Sequence, residues 1–410
     1  MKRIILSFAF LLFLQSLLRA DEGMWIPMLL KKYNEKEMKA RGMKISADDI
    51  YSINNASLKD AIVLFGGGCT GEIVSDQGLM FTNHHCGYSN IQSHSSLEFN
   101  YLEKGFWANS FAEELPNKGL TATILIRMED VTEKVLDGVT SKMTETERSE
   151  KIEINIKKIT KEATKGTHYT ATVKPFYYGN QYFLYVNEVF KDVRLVGAPP
   201  SSVGKFGGDT DNWMWPRHTG DFSVFRIYTG PDGKPAEFSK DNIPYKPKKH
   251  LTISAKGYEK GDFTFVFGYP GSTEQFLTSQ AVELKTKFEN PIAIQMRQER
   301  LKIINKYMNT DPLIRIQYTA KAATIANGWK KWIGENRGIK RLNTIENKKV
   351  FETRFNEWAN ATSDRKAQYG NLLAEFAKTY AETTPYQVSY KFFSEAAYPI
   401  EAIRFALGFQ

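Results

Sequence analysis

Phe81-Thr82-Asn83-His84-His85-Cys86 sets a histidine directly before a cysteine, at the end of an alternating run that reads as one arm of a strand hairpin. Cys69 lies upstream, and these are the chain's only two cysteines. A bond between them would staple the loop carrying His85 to a neighbouring strand. An imidazole that moves protons needs such restraint, because small misplacements are costly in rate.

Compartment decides whether the two cysteines are oxidised. Residues 1–20 have the form of a secretory signal, with Lys2 and Arg3, an almost wholly apolar run from Ile4 to Leu18, and Ala20 as the cleavage residue. That run is shorter than the roughly 20 residues a spanning helix needs, and nothing later in the chain could cross a bilayer. Export makes a Cys69–Cys86 disulfide the expectation. A metal held by His84, His85 and Cys86 is disfavoured, since adjacent side chains converge poorly on one ion and no second ligand cluster is visible. The net charge is +9, and Lys2, Arg3 and Arg19 leave with the signal. The remaining Lys and Arg are interspersed with Asp and Glu, which argues against nucleic acid as a partner.

Between residues 61 and 267 the pattern is mostly strand. Short apolar or alternating runs fall at 61–65, 72–74, 79–82, 121–128, 168–175, 182–189, 222–228 and 263–267, broken by turn clusters such as Gly66-Gly67-Gly68. Many short strands with glycine-rich turns suit a barrel or a sandwich. One charged stretch, 133–165, carries helical spacing at Ile152, Ile156 and Ile159. From Ser279 onward glycine thins out and apolar residues recur every three or four positions, as at Phe351, Phe355 and Trp358, marking a helical domain. The chain of 410 residues is therefore read as a signal (1–20), a β domain (21–278) and an α-helical domain (279–410). Its end is apolar and helix-like, and the reading frame is expected to continue beyond Gln410.

A general base of the trypsin kind needs an imidazole held by a carboxylate, beside a hydroxyl nucleophile and an oxyanion hole. His85 supplies the imidazole. Asp221, in His218-Thr219-Gly220-Asp221-Phe222, supplies the best carboxylate, because it sits where a loop enters an alternating strand. His84 is the rival base. Neighbours on a strand face opposite ways, so one of the two addresses a cleft, and the adjacent half-cystine selects His85. His94, His168, His218 and His250 have no such context.

Gly67-Gly68-Cys69-Thr70-Gly71 with Leu79 through Tyr88, and Val203 through Asp221 with its run Asp211-Asn212-Trp213-Met214-Trp215-Pro216, resemble the bacterial dipeptidyl-peptidase 7 and dipeptidyl-peptidase 11 family, as does Asp21-Glu22-Gly23-Met24-Trp25. The strings are long, unusual and spread over most of the chain. The resemblance implies periplasmic serine exopeptidases with a chymotrypsin-like (trypsin-type) double β-barrel and an inserted helical domain, with subunits that tend to pair. It implies His85 as general base, Asp221 as its orienting carboxylate, and Asn212, Trp213 and Asn327 as the residues that hold the free amino terminus of a peptide substrate. An ammonium group wants carbonyl oxygens and an aromatic face, and a helical lid can close a cleft beyond two residues. No metal or organic cofactor is implied.

The family's Gly-x-Ser-Gly nucleophile has no equivalent here. Ser272, in Gly271-Ser272-Thr273, reads as a turn residue, and Ser89, in Gly87-Tyr88-Ser89-Asn90, lacks the final glycine and lies too near the base. The fold expected is thus mixed β plus α, a chymotrypsin-like barrel followed by a helical domain with the second barrel missing. Two functions compete: a serine-type dipeptidyl-peptidase whose serine lies beyond residue 410, or an inactive fragment or non-catalytic module that binds peptide amino termini.

Overall fold

The computed structural model describes residues 24–409 apart from 273 and 275, so the signal-like segment lies outside the described residues. The architecture is mixed β plus α, as expected, with helices interspersed among the strands and a run of helices after the last of them. In chain order the strands are β1 (Ile62–Phe65), β2 (Cys69–Ile73), β3 (Leu79–Thr82), β4 (Phe106–Trp107), β5 (Leu115–Pro116) and β6 (Ala122–Asp130). They continue with β7 (Thr170–Phe176), β8 (Gln181–Phe190), β9 (Asp192–Ala198), β10 (Ser223–Thr229) and β11 (Ile243–Pro244). The longer helices are α1 (His84–Ser93), α2 (Glu145–Thr164), α3 (Asn290–Met308), α4 (Pro312–Arg341), α5 (Thr344–Asn360) and α6 (Leu372–Phe392). None among the described residues is long and apolar enough to cross a membrane.

The described residues form two compact units. One is built from residues up to Ile62 with Ile124–Glu188 and Pro247–Phe267. Its β7 and β8 form an antiparallel pair, and Ile152, Ile156 and Ile159 of α2 pack on Val131, Val135 and Val186. The helical spacing read in 133–165 is therefore real, but the helix starts only at Glu145, where Thr144 and Glu147 form a reciprocal capping box. Residues 263–267, expected as a strand, are not one. Phe263 and Phe267 instead pack against a cluster of Leu30, Met38 and Ile50, so their apolar character serves a core contact without a ladder.

The second unit comprises Val63–Thr123, Val189–Lys246 and the chain from Gly268 on, which includes α1 and α3–α6. The first helix after the strands begins at Ser279, with the Thr278 hydroxyl accepting the Ala281 N–H at 3.4 Å. Its strands run in the order β4-β9-β10-β3-β2-β1, with β5 on β9 and β11 on β10. Phe65 and Phe225 meet at 4.8 Å between ring centroids, with buried Met80, Ile91 and Leu195 in the same core. Strand β9 was not among the expected strands. Its buried Asp192 and Arg194 pair at 2.7 Å, and those charges hide a core strand in the sequence.

One pairing positions the chemistry. β3 and β10 are antiparallel, with Thr82 opposite Ser223. The outgoing end of β3 therefore lies beside the incoming end of β10, which brings the residues just after Thr82 next to those just before Ser223.

Candidate active site

Asn83 is the N-cap residue of α1, and His84 and His85 are its first two helical positions. The pair thus begins a helix and does not end a strand, so strand alternation is not what separates their side chains. A helix start leaves backbone N–H groups without partners and favours negative charge. Asp221 meets both needs. Its Oδ1 accepts the His85 backbone N–H at 3.0 Å, and its Oδ2 lies 2.7 Å from His85 Nδ1. Asn83 Nδ2 adds donations to the Asp221 carbonyl at 3.2 Å and to Oδ2 at 3.3 Å. Ser223 Oγ donates to the Asn83 carbonyl at 2.8 Å, tying the helix start to β10. Burial alone would raise the Asp221 carboxyl, but the hydrogen bonds and charge of His85, with His84 behind it, hold it below its ordinary value.

Cys69 at the head of β2 is bonded to Cys86, with Cα atoms 6.1 Å apart. The staple expected from the sequence is present. Cys69, Cys86 and His85 also bring ligand-type atoms within 4.8 Å of one another, but both sulphurs are committed to the disulfide, and a metal takes the thiolate.

The two histidines have opposite surroundings. The His85 side chain is 69% exposed, whereas His84 is 1% exposed. Tyr88 packs on the His84 ring at 5.3 Å between centroids, and burial pushes its pKa down, against smaller opposing contributions from Asp221 and the Pro199 carbonyl.

Asn212 and Trp213 follow a short turn, Gly208–Asp211, and Asn327 lies within α4. The structure brings all three together. Asn327 Oδ1 accepts Asn212 Nδ2 at 2.8 Å and the Trp213 indole N–H at 3.0 Å, and the Asn327 carbonyl accepts the same indole N–H at 3.1 Å. Two further residues were not anticipated. Arg217 Nη1 donates to Asn212 Oδ1 at 3.2 Å, and Lys330 Nζ donates to the carbonyls of Asp209, at 2.6 Å, and Thr210. Lys330 lies three residues beyond Asn327, one helical turn, and that spacing was a usable signal.

A cleft of about 530 Å³ joins these groups. α1 lines it with His85 and Ser89, α4 with Ala320, Thr324 and Asn327, and the intervening loops with Asn212, Trp213 and Asp221. It therefore holds a carboxylate-oriented imidazole toward one part and carboxamide and indole groups toward another. Such a site can accept a proton at His85 Nε2 and bind a cationic group at a fixed remove.

The chain matches the family model described as Peptidase S46 over residues 20–408. It is 53% identical over 373 residues to the Asp/Glu-specific dipeptidyl-peptidase of Capnocytophaga gingivalis, covering 91% of this chain and 52% of that protein. It is 45% identical over 410 residues to dipeptidyl-peptidase 7 of Porphyromonas gingivalis, covering 99% and 57%. The crystal structure of Porphyromonas endodontalis DPP11 in complex with the dipeptide Arg-Glu superposes with a TM-score of 0.83 at 39% identity, covering 94% of this chain and 58% of that one. The chain thus spans about half the length of the relatives it matches.

Proposed function

The chain belongs to the peptidase S46 family, and from that premise we propose that it carries the base and the amino-terminus site of a serine-type dipeptidyl-peptidase, an enzyme releasing dipeptides from the N-termini of oligopeptides. Relatives of both names match, and dipeptide release is the chemistry common to them. In this reading His85 takes the proton from a serine hydroxyl at Nε2 and later delivers it to the leaving amine. Asp221 fixes the tautomer with a proton on Nδ1 and stabilises the imidazolium. Asn212, Trp213 and Asn327 hold the substrate's ammonium group, and the helices from Ser279 on form the lid that limits the cleft to two residues. The reaction calls for no metal or organic cofactor.

The observation that carries the reading is the pair of bonds from one carboxylate to His85, in the same cleft as the Asn212–Asn327–Trp213 cluster. The test is calorimetric titration of the chain with a free dipeptide and with the same dipeptide acetylated at its nitrogen. Binding of the free form alone is expected. Equal binding of both, or of neither, would sink the assignment.

Three further elements belong to the same proposal. The nucleophilic serine is not supplied by residues 1–410, so the isolated chain should lack most of the roughly 10⁶-fold that such a nucleophile contributes. A dipeptide-release assay checks this, and robust turnover by the chain alone would refute it. Delivery to the periplasm rests on the signal-like residues 1–20. Pairing of subunits rests on the family resemblance, and sedimentation of the purified chain tests it.

A further inference from the structure

Gln92 of α1 is bonded to the backbone of the N-terminal third of α4. Its Nε2 donates to the Gln317 carbonyl at 3.2 Å, and its Oε1 accepts the Ala320 N–H at 2.7 Å. Both groups lie inside a helix running from Pro312 to Arg341, where backbone donors and acceptors are ordinarily engaged within the helix itself. A single carboxamide held by a carbonyl and an N–H three residues apart acts as a tooth in that ladder. Sliding one helix past the other would break both bonds at once.

The placement of the tooth is what gives it a role. His85 precedes Gln92 by seven residues on α1, and Asn327 follows Ala320 by seven residues on α4. Seven residues are close to two helical turns, so each member returns to the same face of its helix, about 10 Å along the axis. His85, Ala320 and Asn327 all line the one cleft. The proton acceptor and the amine site are therefore each tied by a rigid two-turn segment to a single cross-link.

We propose that Gln92 is a positioning residue that sets the spacing between His85 and Asn327, and with it the length of peptide that fits between them. Two extended residues span about 7 Å, so a shift of even a fraction of that length changes which backbone carbonyl faces the imidazole. The role in peptide length rests on the amine-site reading above, whereas the role in spacing does not.

The test uses the whole chain and two variants. Gln92→Met keeps the side chain's shape and loses both bonds, and Gln92→Glu keeps the acceptor and loses the donor. The first readout needs no ligand: the ¹⁵N resonances of the Trp213 indole, identified by its absence in Trp213→Phe, and of the His85 ring. Both are expected to move in Gln92→Met although neither residue touches position 92, and to move less in Gln92→Glu. If both stay in place while residue 92 is changed, the proposal is wrong. The second readout is affinity for a dipeptide against a tripeptide sharing its first two residues. Gln92→Met should weaken the dipeptide at least about tenfold and shrink the preference between the two lengths. A uniform loss with that preference unchanged would overturn the length-setting role. If the unaltered chain binds no dipeptide, the amine-site reading falls and the resonances alone still decide the spacing claim.

Discussion

The His84 imidazole lies against Gly204 with no room between them, since a Cβ at position 204 would stand 2.4 Å from ring carbon Cδ2. Two adjacent histidines therefore hold two different segments. His85 binds Asp221, and His84 packs on the turn Ser201–Gly204 that opens the loop leading to Asn212 and Trp213.

Gly204→Ala should destabilise the chain by about 1–3 kcal/mol, the usual range for overpacking. His84→Ala in the same chain should recover much of that loss. Urea denaturation of the two single variants and the double variant measures the coupling, and strict additivity would show that the two residues do not meet.

His84 also makes a pH prediction. Its folded pKa is lowered from 6.5 by burial, so the unfolded chain takes up a proton more readily than the native one. The contribution of neutral His84 is full above that unfolded value and declines as pH falls below it toward the lowered folded value. His84→Asn should flatten this part of a stability profile taken from about pH 8 to about pH 5. An unaltered slope would exclude His84 as its source.

Asp221 has the opposite partner and a different window. Its carboxyl is held below 3.8 by the bonds from His85, so its stabilising effect is present above that value and vanishes as pH falls through the folded one. Asp221→Ala leaves the His85 N–H at the helix start without its acceptor and should cost about 1–3 kcal/mol near neutral pH. Thermal melting at neutral and acidic pH checks both, with the gap between variant and parent narrowing in acid.

Gly328 stands inside α4, where alanine normally stabilises a helix by about 0.8–1 kcal/mol over glycine. Here a Cβ would lie 2.5 Å from Arg297 Nη1. That guanidinium is paired with buried Glu395 at 2.9 Å and stacked 4.5 Å from the Trp332 ring. Gly328→Ala is therefore expected to destabilise the parent chain and to stabilise an Arg297→Met background. The sign reversal is the result to look for in paired thermal melts.

Replacing Cys69 and Cys86 together by alanine opens a loop of sequence separation 17. The loss expected is about 3 kcal/mol, chiefly because the unfolded chain regains freedom. Denaturant titration of parent and variant measures it, and a loss below about 1 kcal/mol would mean that β2–β3 pairing already holds the segment.

Much of the site was legible because its signals are local. A histidine beside a half-cystine and an aspartate before an alternating strand can each be read without knowing the fold, whereas Asn212 and Trp213 stand out only through the family resemblance and would otherwise read as loop-packing residues. The preference for His85 over His84 leaned on strand alternation and the neighbouring half-cystine, and the structure replaces the first of these reasons. The two residues start a helix, and it is burial that sets them apart. Gln92 had no local mark, since its partners Gln317 and Ala320 are 225 and 228 residues away. Phe263 and Phe267 misled because a strand and a core-packed loop can share one apolar pattern. β9 escaped because Asp192 and Arg194 satisfy each other inside the core, where a charge in the sequence argues for the surface.

Trp213 sits at φ 59°, in the left-handed region, which costs a residue with a side chain about 1–2 kcal/mol. Glycine would be comfortable there, but only tryptophan offers the indole N–H that reaches Asn327. Laboratory evolution toward heat tolerance, with no demand on recognition, should keep returning Trp213→Gly. The survivors would be hardier proteins that have lost the indole bond to Asn327.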